Sequence, residues 1–298
     1  MVKLSDIRAA LADVEREQHD ALTLRLVEAL REQGYAGRLN GAKVAEICGG
    51  SLSPVQLAFR CLALAACYAV TPISNFKVGA VAIGRSGAFY FGANQEFNHS
   101  AIQQTIHAEQ SAITHAWEAG EAGLTDLVVN TTPCGHCRQF INELNTADSI
   151  RIHLPHSQNN LLHQYLPDAF GPKNLNIRET LFDPRQHFFS ERSGDRLVDT
   201  AIEAAQQSYA PYSRTLSAVA LQRGDKIFCG RYAENAAFNP SMLPLQSALN
   251  YMRLSGLGYA GVDRLVMAER KASLSHRAMT EMLAQSLFGL ERIEYVLL

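Results

Sequence analysis

Residues 124–154 read LTDLVVNTTPCGHCRQFINELNTADSIRIHL. Leu124–Asn130 is a short apolar run of the kind that forms a buried strand. Pro133 ahead of Gly135–Leu144 marks a helix start, and Phe140, Ile141 and Leu144 recur at helical spacing. Ser149–Leu154 is a second strand. Upstream, Thr105–Trp117 has helical spacing, with Ala108, Ala112, Ile113, Ala116 and Trp117 on one side and Gly120 as the stop. Lys77–Gly84 and Ala88–Gly92 are apolar runs separated by Ser86-Gly87, a hairpin signal. Pro54–Ala69 is helical and closes at Thr71-Pro72. The order α-β-β-α-β-α-β predicts a sheet with helices on both faces.

Residues 5–33 carry Leu11, Val14, Leu22, Leu24, Leu26, Val27 and Leu30 among charges, the pattern of one or two amphipathic helices. Residues 155–195 lack periodicity and are punctuated by Pro155, Pro167, Pro172 and Pro184, as in a long connection. Beyond it the first half repeats. Ala65-Ala66 before Pro72-Ile73-Ser74 matches Ala204-Ala205 before Pro211-Tyr212-Ser213. Gly92 to Glu96 matches Gly230 to Glu234, and Gln110-Ser111-Ala112-Ile113 matches Gln246-Ser247-Ala248-Leu249. The copy lacks the chemistry: Leu243 and Leu245 stand where the first half has His107 and Glu109, and no second Cys-x-x-Cys follows. The expected organisation is an N-terminal helical segment (1–48), a catalytic domain (49–155), a linker (156–195) and a degenerate, non-catalytic domain (196–298).

The 298 residues are 47% hydrophobic and 19% charged, ordinary globular usage that excludes disorder as the main state. The formal charge of −2 argues against a constitutive nucleic-acid binder, which needs a basic excess. The longest apolar run, Cys61–Val70, is half the roughly twenty residues of a membrane span. The opening MVKLSDIRAALADVERE is charged throughout, without the apolar segment of a signal peptide, so a cytoplasmic protein is expected. Cys48, Cys61, Cys67 and Cys229 read as reduced core thiols.

Cys134 and Cys137 differ from them. Two thiols at i and i+3 in the first turn of a helix can face one point, where the helix N-terminus favours thiolate, the metal-binding form. His107 opens the other strong helix and supplies a third ligand. Glu109, about 200° round that helix from His107, cannot share its direction and reaches past the metal to whatever sits on it. Three protein ligands leave a fourth position open, the catalytic pattern for zinc. A Cys-x-x-Cys alone would also suit a redox pair. The joint pattern His-x-Glu…Pro-Cys-x-x-Cys is the known signature of zinc deaminases. His136 turns away from the pair and reads as structural; His99 and His115 read as surface or helix-face residues.

The segments SNFKVGA (74–80), FGANQEFNHSAIQQTIHAEQSAI (91–113) and TPCGHCRQFINEL (132–144) resemble cytidine deaminase, in its long-chain homodimeric bacterial form. The likeness continues through YLPDAFGPK (165–173) and YAENAAFNP (232–240). It implies an α/β fold of two α-β-α sandwich domains with mixed sheets, related by duplication, plus the small N-terminal helical segment. It implies zinc held by His107, Cys134 and Cys137, with Glu109 as the proton shuttle that also holds N3 of the base. It gives Phe76 a wall of the base pocket, Asn94 and Glu96 the ribose 3′-hydroxyl, and the backbone of Ala108, Thr132 and Cys134 the pyrimidine edge. Phe170 and Phe238 close the pocket, Phe238 from the partner subunit. Gln110 departs from the Arg common in short-chain members, which often use three cysteines. The implied reaction is hydrolysis of free cytidine and 2′-deoxycytidine to the uridine nucleosides and ammonia, in pyrimidine salvage.

An active and a degenerate copy in one chain would need two subunits, related by C2 symmetry, to make the four-domain assembly of the short-chain tetramers. One Zn2+ per chain is then expected. A polynucleotide deaminase would need a basic channel, and a 3′-phosphate would be repelled by Glu96. A nucleotide or tRNA-adenosine deaminase would need phosphate contacts, for which Lys77 and Arg138 are the nearby candidates. A closed structural zinc module would leave Glu109 without a role. The expected partner is a free nucleoside, not nucleic acid or membrane.

Overall fold

The computed structural model of the chain describes residues 4–290 and 292–298, so Met1–Lys3 of the expected N-terminal segment lie outside the described residues. Local capping chemistry starts the early helices. After α1 (Leu4–Gln18), α2 (Ala21–Glu32) is capped by Asp20, whose carboxylate accepts from the Leu22 and Thr23 amides. Asn40 caps α3 (Gly41–Cys48), and Gly49 ends it in the left-handed conformation. α4 (Pro54–Ala66) begins with a reciprocal Ser53–Gln56 capping box and proline in its first turn.

The first sheet follows the order β1-β3-β2-β4-β5-β6, from β1 (Arg38–Leu39), β2 (Gly79–Gly84), β3 (Phe89–Ala93), β4 (Leu124–Val129), β5 (Arg151–Leu154) and β6 (Ser157–Leu161). Only β4 and β5 run parallel, and the connection between them carries α6 (Gly135–Ile141). The second sheet follows β10-β9-β7-β8, from β7 (Ser217–Arg223), β8 (Lys226–Arg231), β9 (Arg264–Glu269) and β10 (Glu294–Leu297). Its single parallel pair is β9–β10. The order β3-β2-β4-β5 thus recurs as β8-β7-β9-β10 with the same pairing senses, which bears out the duplicated mixed-sheet fold. No helix among the described residues is long and apolar enough to cross a membrane.

Helices cover both faces. α4 lies on one side of the first sheet and α5 (Ala108–Glu118) on the other; α8 (Arg196–Ala205) and α9 (Pro244–Leu254) flank the second in the same way. α5 packs on α9 between the sheets, so one core runs through both halves, from Ala112, Ile113 and Ala116 to Ala248, Leu249 and Met252. Glycine permits the close strand–helix contact in each copy. A Cβ at Gly92 would collide with the Ala112 amide and Ala108 carbonyl, and one at Gly230 with the Ala248 amide and Pro244 carbonyl. α10 (Arg277–Phe288) packs beside α9.

Polar bonds across this seam are also paired. Gln110 Nε2 donates to the Pro240 carbonyl (2.8 Å), and its copy Gln246 donates back to the Gln103 carbonyl (3.2 Å). On the seam itself, buried Asn250 donates to the Thr114 hydroxyl (3.1 Å) and the Ser111 carbonyl (2.9 Å) and accepts from Gln95 (2.7 Å). Buried Glu143, beyond α6, accepts from the Tyr209 and Tyr212 hydroxyls and the Ala236 amide of the second half.

Two expected boundaries differ from the structure. The segment expected as a linker from 156 begins with β6, which pairs antiparallel with β5, followed by α7 (Leu162–Tyr165). Strand β6 is polar (Ser157, Gln158, Asn159, Asn160) and lies at the sheet edge, so it carries no apolar alternation to read. Further on, Leu181 is buried and bonds to the Glu143 and Asn145 backbone, which ties that stretch to the first half. Likewise β1, inside the expected helical segment 1–48, joins the first sheet beside β3.

Candidate active site

The site forms where α5 and α6 begin. The helix expected from Thr105 starts at Ala108 instead, because Ile106 and Gln95 exchange backbone bonds (2.9 Å each) that hold the chain extended up to His107. His107 is therefore the N-cap of α5 and Cys134 the N-cap of α6. Both helices direct their positive ends to the same point, which favours anionic sulfur there.

Cys134 Sγ lies 3.6 Å from Cys137 Sγ, and His107 Nδ1 lies 3.4 Å from each sulfur. Tetrahedral zinc, with Zn–S near 2.3 Å and Zn–N near 2.0 Å, has ligand–ligand edges of about 3.8 Å and about 3.6 Å. The donor set matches zinc in both chemistry and spacing, and among the described residues it is the one such cluster. The Cys137 thiol and His107 bond to Cys134 and hold it down to about 3, so it is a thiolate. The Cys137 thiol, bonded to that thiolate and buried, is pushed up.

Glu109 is buried in the first turn of α5, against the Cys137 thiol. Burial raises its carboxyl above the usual range, and bonds from its own amide and from Cys137 only partly oppose this. A buried carboxyl therefore stands beside the three metal donors.

His136 stays out of the donor cluster. It stacks on His107 (centroids 4.8 Å apart), and its Nε2 lies 3.1 Å from Gln110 Oε1. Gln110 thereby joins a ligand-bearing turn to the second half through Pro240. The adjacency of Gln110 to Glu109 was the only sequence signal for this link. His115 is a core residue, not a surface one: its Nδ1 lies 2.9 Å from the Phe91 carbonyl, and burial pushes the ring down to about 4. Arg138 donates to the Pro133 and Tyr165 carbonyls (2.8 and 2.9 Å), so it clips α6 to α7.

The residues expected to hold substrate gather on three segments. Phe76 is 60% exposed. Asn94 fastens its loop, donating to the Phe76 carbonyl (2.8 Å) and accepting from the Val78 amide (2.9 Å). Glu96 Oε2 accepts from the Ile73 and Ser74 amides (2.9 Å each), and Oε1 from the Ser74 hydroxyl. Burial alone would raise the Glu96 carboxyl, but these bonds from Ser74 and Ile73 outweigh it and hold it down. Glu234 grips Tyr212 and Ser213 in the same way, so this loop clamp is common to both copies. Ala108 is buried at the start of α5, and Thr132 is exposed just ahead of Pro133 and Cys134. Phe170 is exposed, with its carbonyl held by Gln139 (2.7 Å) and Asn142 (3.1 Å). Phe238 is 56% exposed at φ +58°, on a loop held to α6 by Asn235, which donates to the Gln139 carbonyl (2.9 Å). In the second half, Leu243 caps α9 and Leu245 is buried behind it, where His107 and Glu109 stand in the first.

The pattern of the cytidine and deoxycytidylate deaminase zinc-binding region matches residues 53–152 and again residues 162–281. A cytidine deaminase of Mannheimia succiniciproducens is 60% identical over 287 residues, 96% of this chain and 97% of that protein. One from Actinobacillus succinogenes is 62% identical, over 94% of each chain. Another, from Actinobacillus pleuropneumoniae serotype 5b, is 59% identical over 99% of each. A zinc-shaped donor set, a buried acid beside it and likeness along nearly the whole length lead to one assignment: the chain belongs to the cytidine deaminases and is a zinc-dependent hydrolytic enzyme.

Proposed function

We propose that this enzyme deaminates free nucleosides, converting cytidine and 2′-deoxycytidine with water into uridine and 2′-deoxyuridine plus ammonia, as a step of pyrimidine salvage. The observation that carries the reading is the buried Glu109 carboxyl beside His107, Cys134 and Cys137. His107, Cys134 and Cys137 would hold zinc, which would supply a water acidified to a pKa near 7. Glu109 takes the water proton and gives it to N3 of the ring as C4 becomes tetrahedral. It then carries the proton of the new C4 hydroxyl to the amine, and the C4–N bond breaks as C4=O forms and ammonia leaves. The backbone at Ala108, Thr132 and Cys134 holds the pyrimidine edge, and Phe76 forms a wall.

Asn94 and Glu96 meet the ribose 3′-hydroxyl. Glu96 Oε1 accepts one bond within the chain, which leaves it a lone pair for that hydroxyl. A phosphate there would face the same carboxylate, which favours free nucleosides over nucleic acid. Arg138, already committed to two carbonyls, leaves the site without that cation.

The catalytic unit spans 49–155 with β6 added, and the unit from 196 to 298 is non-catalytic. Two chains form a homodimer, in which Phe170 and the partner's Phe238 close the pocket; the exposed rings of both support this. The four cysteines outside the zinc cluster, Cys48, Cys61, Cys67 and Cys229, are free thiols, which supports a cytoplasmic location.

The test is ultraviolet monitoring of cytidine, 2′-deoxycytidine and a cytosine-containing single strand with the purified enzyme. Both nucleosides should be consumed and the strand left intact. Conversion of the strand with the nucleosides untouched would refute the ribose reading. Metal analysis should give one zinc per chain, since Leu243 and Leu245 replace the histidine and glutamate in the copy. A count near two would refute a non-catalytic second half.

A further inference from the structure

The second half holds a cavity of about 430 Å³ between the crossover segment 176–187 and Ala210–Leu216. Arg178, Arg185, His187, Arg214 and Arg270 line it, against Glu179 as the one acid among its described lining residues. Arg178, Arg214 and Arg270 are exposed, and among the described residues none of the three guanidiniums has a hydrogen bond or ion pair. Arg185 sits deeper, stacked 4.5 Å over the Tyr209 ring with Nη2 on the Thr180 carbonyl. Its Nε and Nη1 are buried without a hydrogen-bond partner. Four guanidiniums in one concavity repel one another unless an anion joins them.

The location follows from the duplication. Glu234 grips Tyr212 and Ser213 as Glu96 grips Ile73 and Ser74. Arg214 (φ +60°) therefore stands where the first half has Asn75 (φ +55°). Ala80 pairs with Gly92 and Val129 as Val219 pairs with Gly230 and Met267, so Arg270, three residues past Met267, stands where the first half has Thr132. Where the first half carries an amide and a hydroxyl, Asn75 and Thr132, the copy carries arginines.

We propose that this cavity binds a small phosphorylated anion with at least two negative charges, held by Arg185 at its base and by Arg178, Arg214 and Arg270 at its rim. Guanidinium forks match phosphoryl oxygens with paired N–H bonds, which suits this clustering of Arg without Lys. The bound anion bridges the crossover segment to the second half. The volume fits a small molecule, and the chain's net charge of −2 disfavours a nucleic-acid track.

The probe is inorganic pyrophosphate, followed by calorimetric titration and thermal unfolding of the zinc-loaded enzyme at constant ionic strength set with chloride. The expected result is saturable binding and a rise in Tm beyond that given by chloride. The double variant Arg214→Asn/Arg270→Thr restores the first half's residues and breaks no side-chain hydrogen bond or ion pair, so it should fold and deaminate cytidine normally while binding pyrophosphate at least about tenfold more weakly. Stabilisation no greater than that of chloride would overturn the proposal, as would equal affinity in the variant. A thymidine oligonucleotide that binds where pyrophosphate does not would overturn it in favour of a polymer site.

Discussion

Glu109→Gln should keep its zinc and lose cytidine turnover by about 10³-fold or more. The amide has the same shape as the carboxyl, and Glu109 is buried. Packing in the first turn of α5 should therefore survive, and His107, Cys134 and Cys137 keep their spacing. What disappears is proton transfer. In the proposed mechanism two transfers run through this one carboxyl, so the expected loss exceeds that of an ordinary single acid–base step. KM should change far less than kcat, since the interaction removed belongs to the transition state. Steady-state kinetics with zinc analysis on the same sample checks both halves. A variant within tenfold of wild-type kcat would remove Glu109 from the mechanism.

Gly92→Ala should destabilise the protein by about 3 kcal/mol, the upper end for overpacking. The added methyl meets the Ala112 amide and Ala108 carbonyl, which are helix backbone and cannot rotate aside. Either β3 or α5 must shift, and α5 carries His107 at its start. Zinc affinity should fall along with stability. Gly135→Ala is the control: its Cβ would meet nothing within 4 Å, so stability should hold to within about 0.5 kcal/mol. Denaturant midpoints of the two variants distinguish them. If Gly92→Ala is as stable as wild type, α5 does not rest directly on β3.

Legibility in the sequence followed local physics. The zinc donors were readable because Pro133 and the i, i+3 spacing place two sulfurs at one helix start without help from distant residues. The core strands were readable because both faces of the sheet are covered, which makes them apolar runs. Strand β6 was hidden because an edge strand facing solvent needs no apolar pattern. The start of α5 was misread by three residues, since a bridge to Gln95, distant in sequence, overrides the helical spacing of Thr105 and Ile106. His115 was misread because a lone histidine gives no sign that a backbone carbonyl awaits it. The Gln110–His136 contact and the Glu143 clasp depend on the docking of the two halves, which no local pattern encodes.

Thr114 and Asn250 hold equivalent places on α5 and α9, yet they meet each other across the seam. In an association of identical subunits, a residue on the two-fold axis faces its own twin, so the pair must be self-complementary and every substitution there arrives twice. Covalent joining removes that restriction. An amide can face a hydroxyl, each chosen for the other, and a favourable change on one side need not suit its mirror image. The fused chain is thus a dimer freed from its own symmetry. Its second half could exchange a histidine and a glutamate for leucines while the seam still holds the first half's catalytic helix in place.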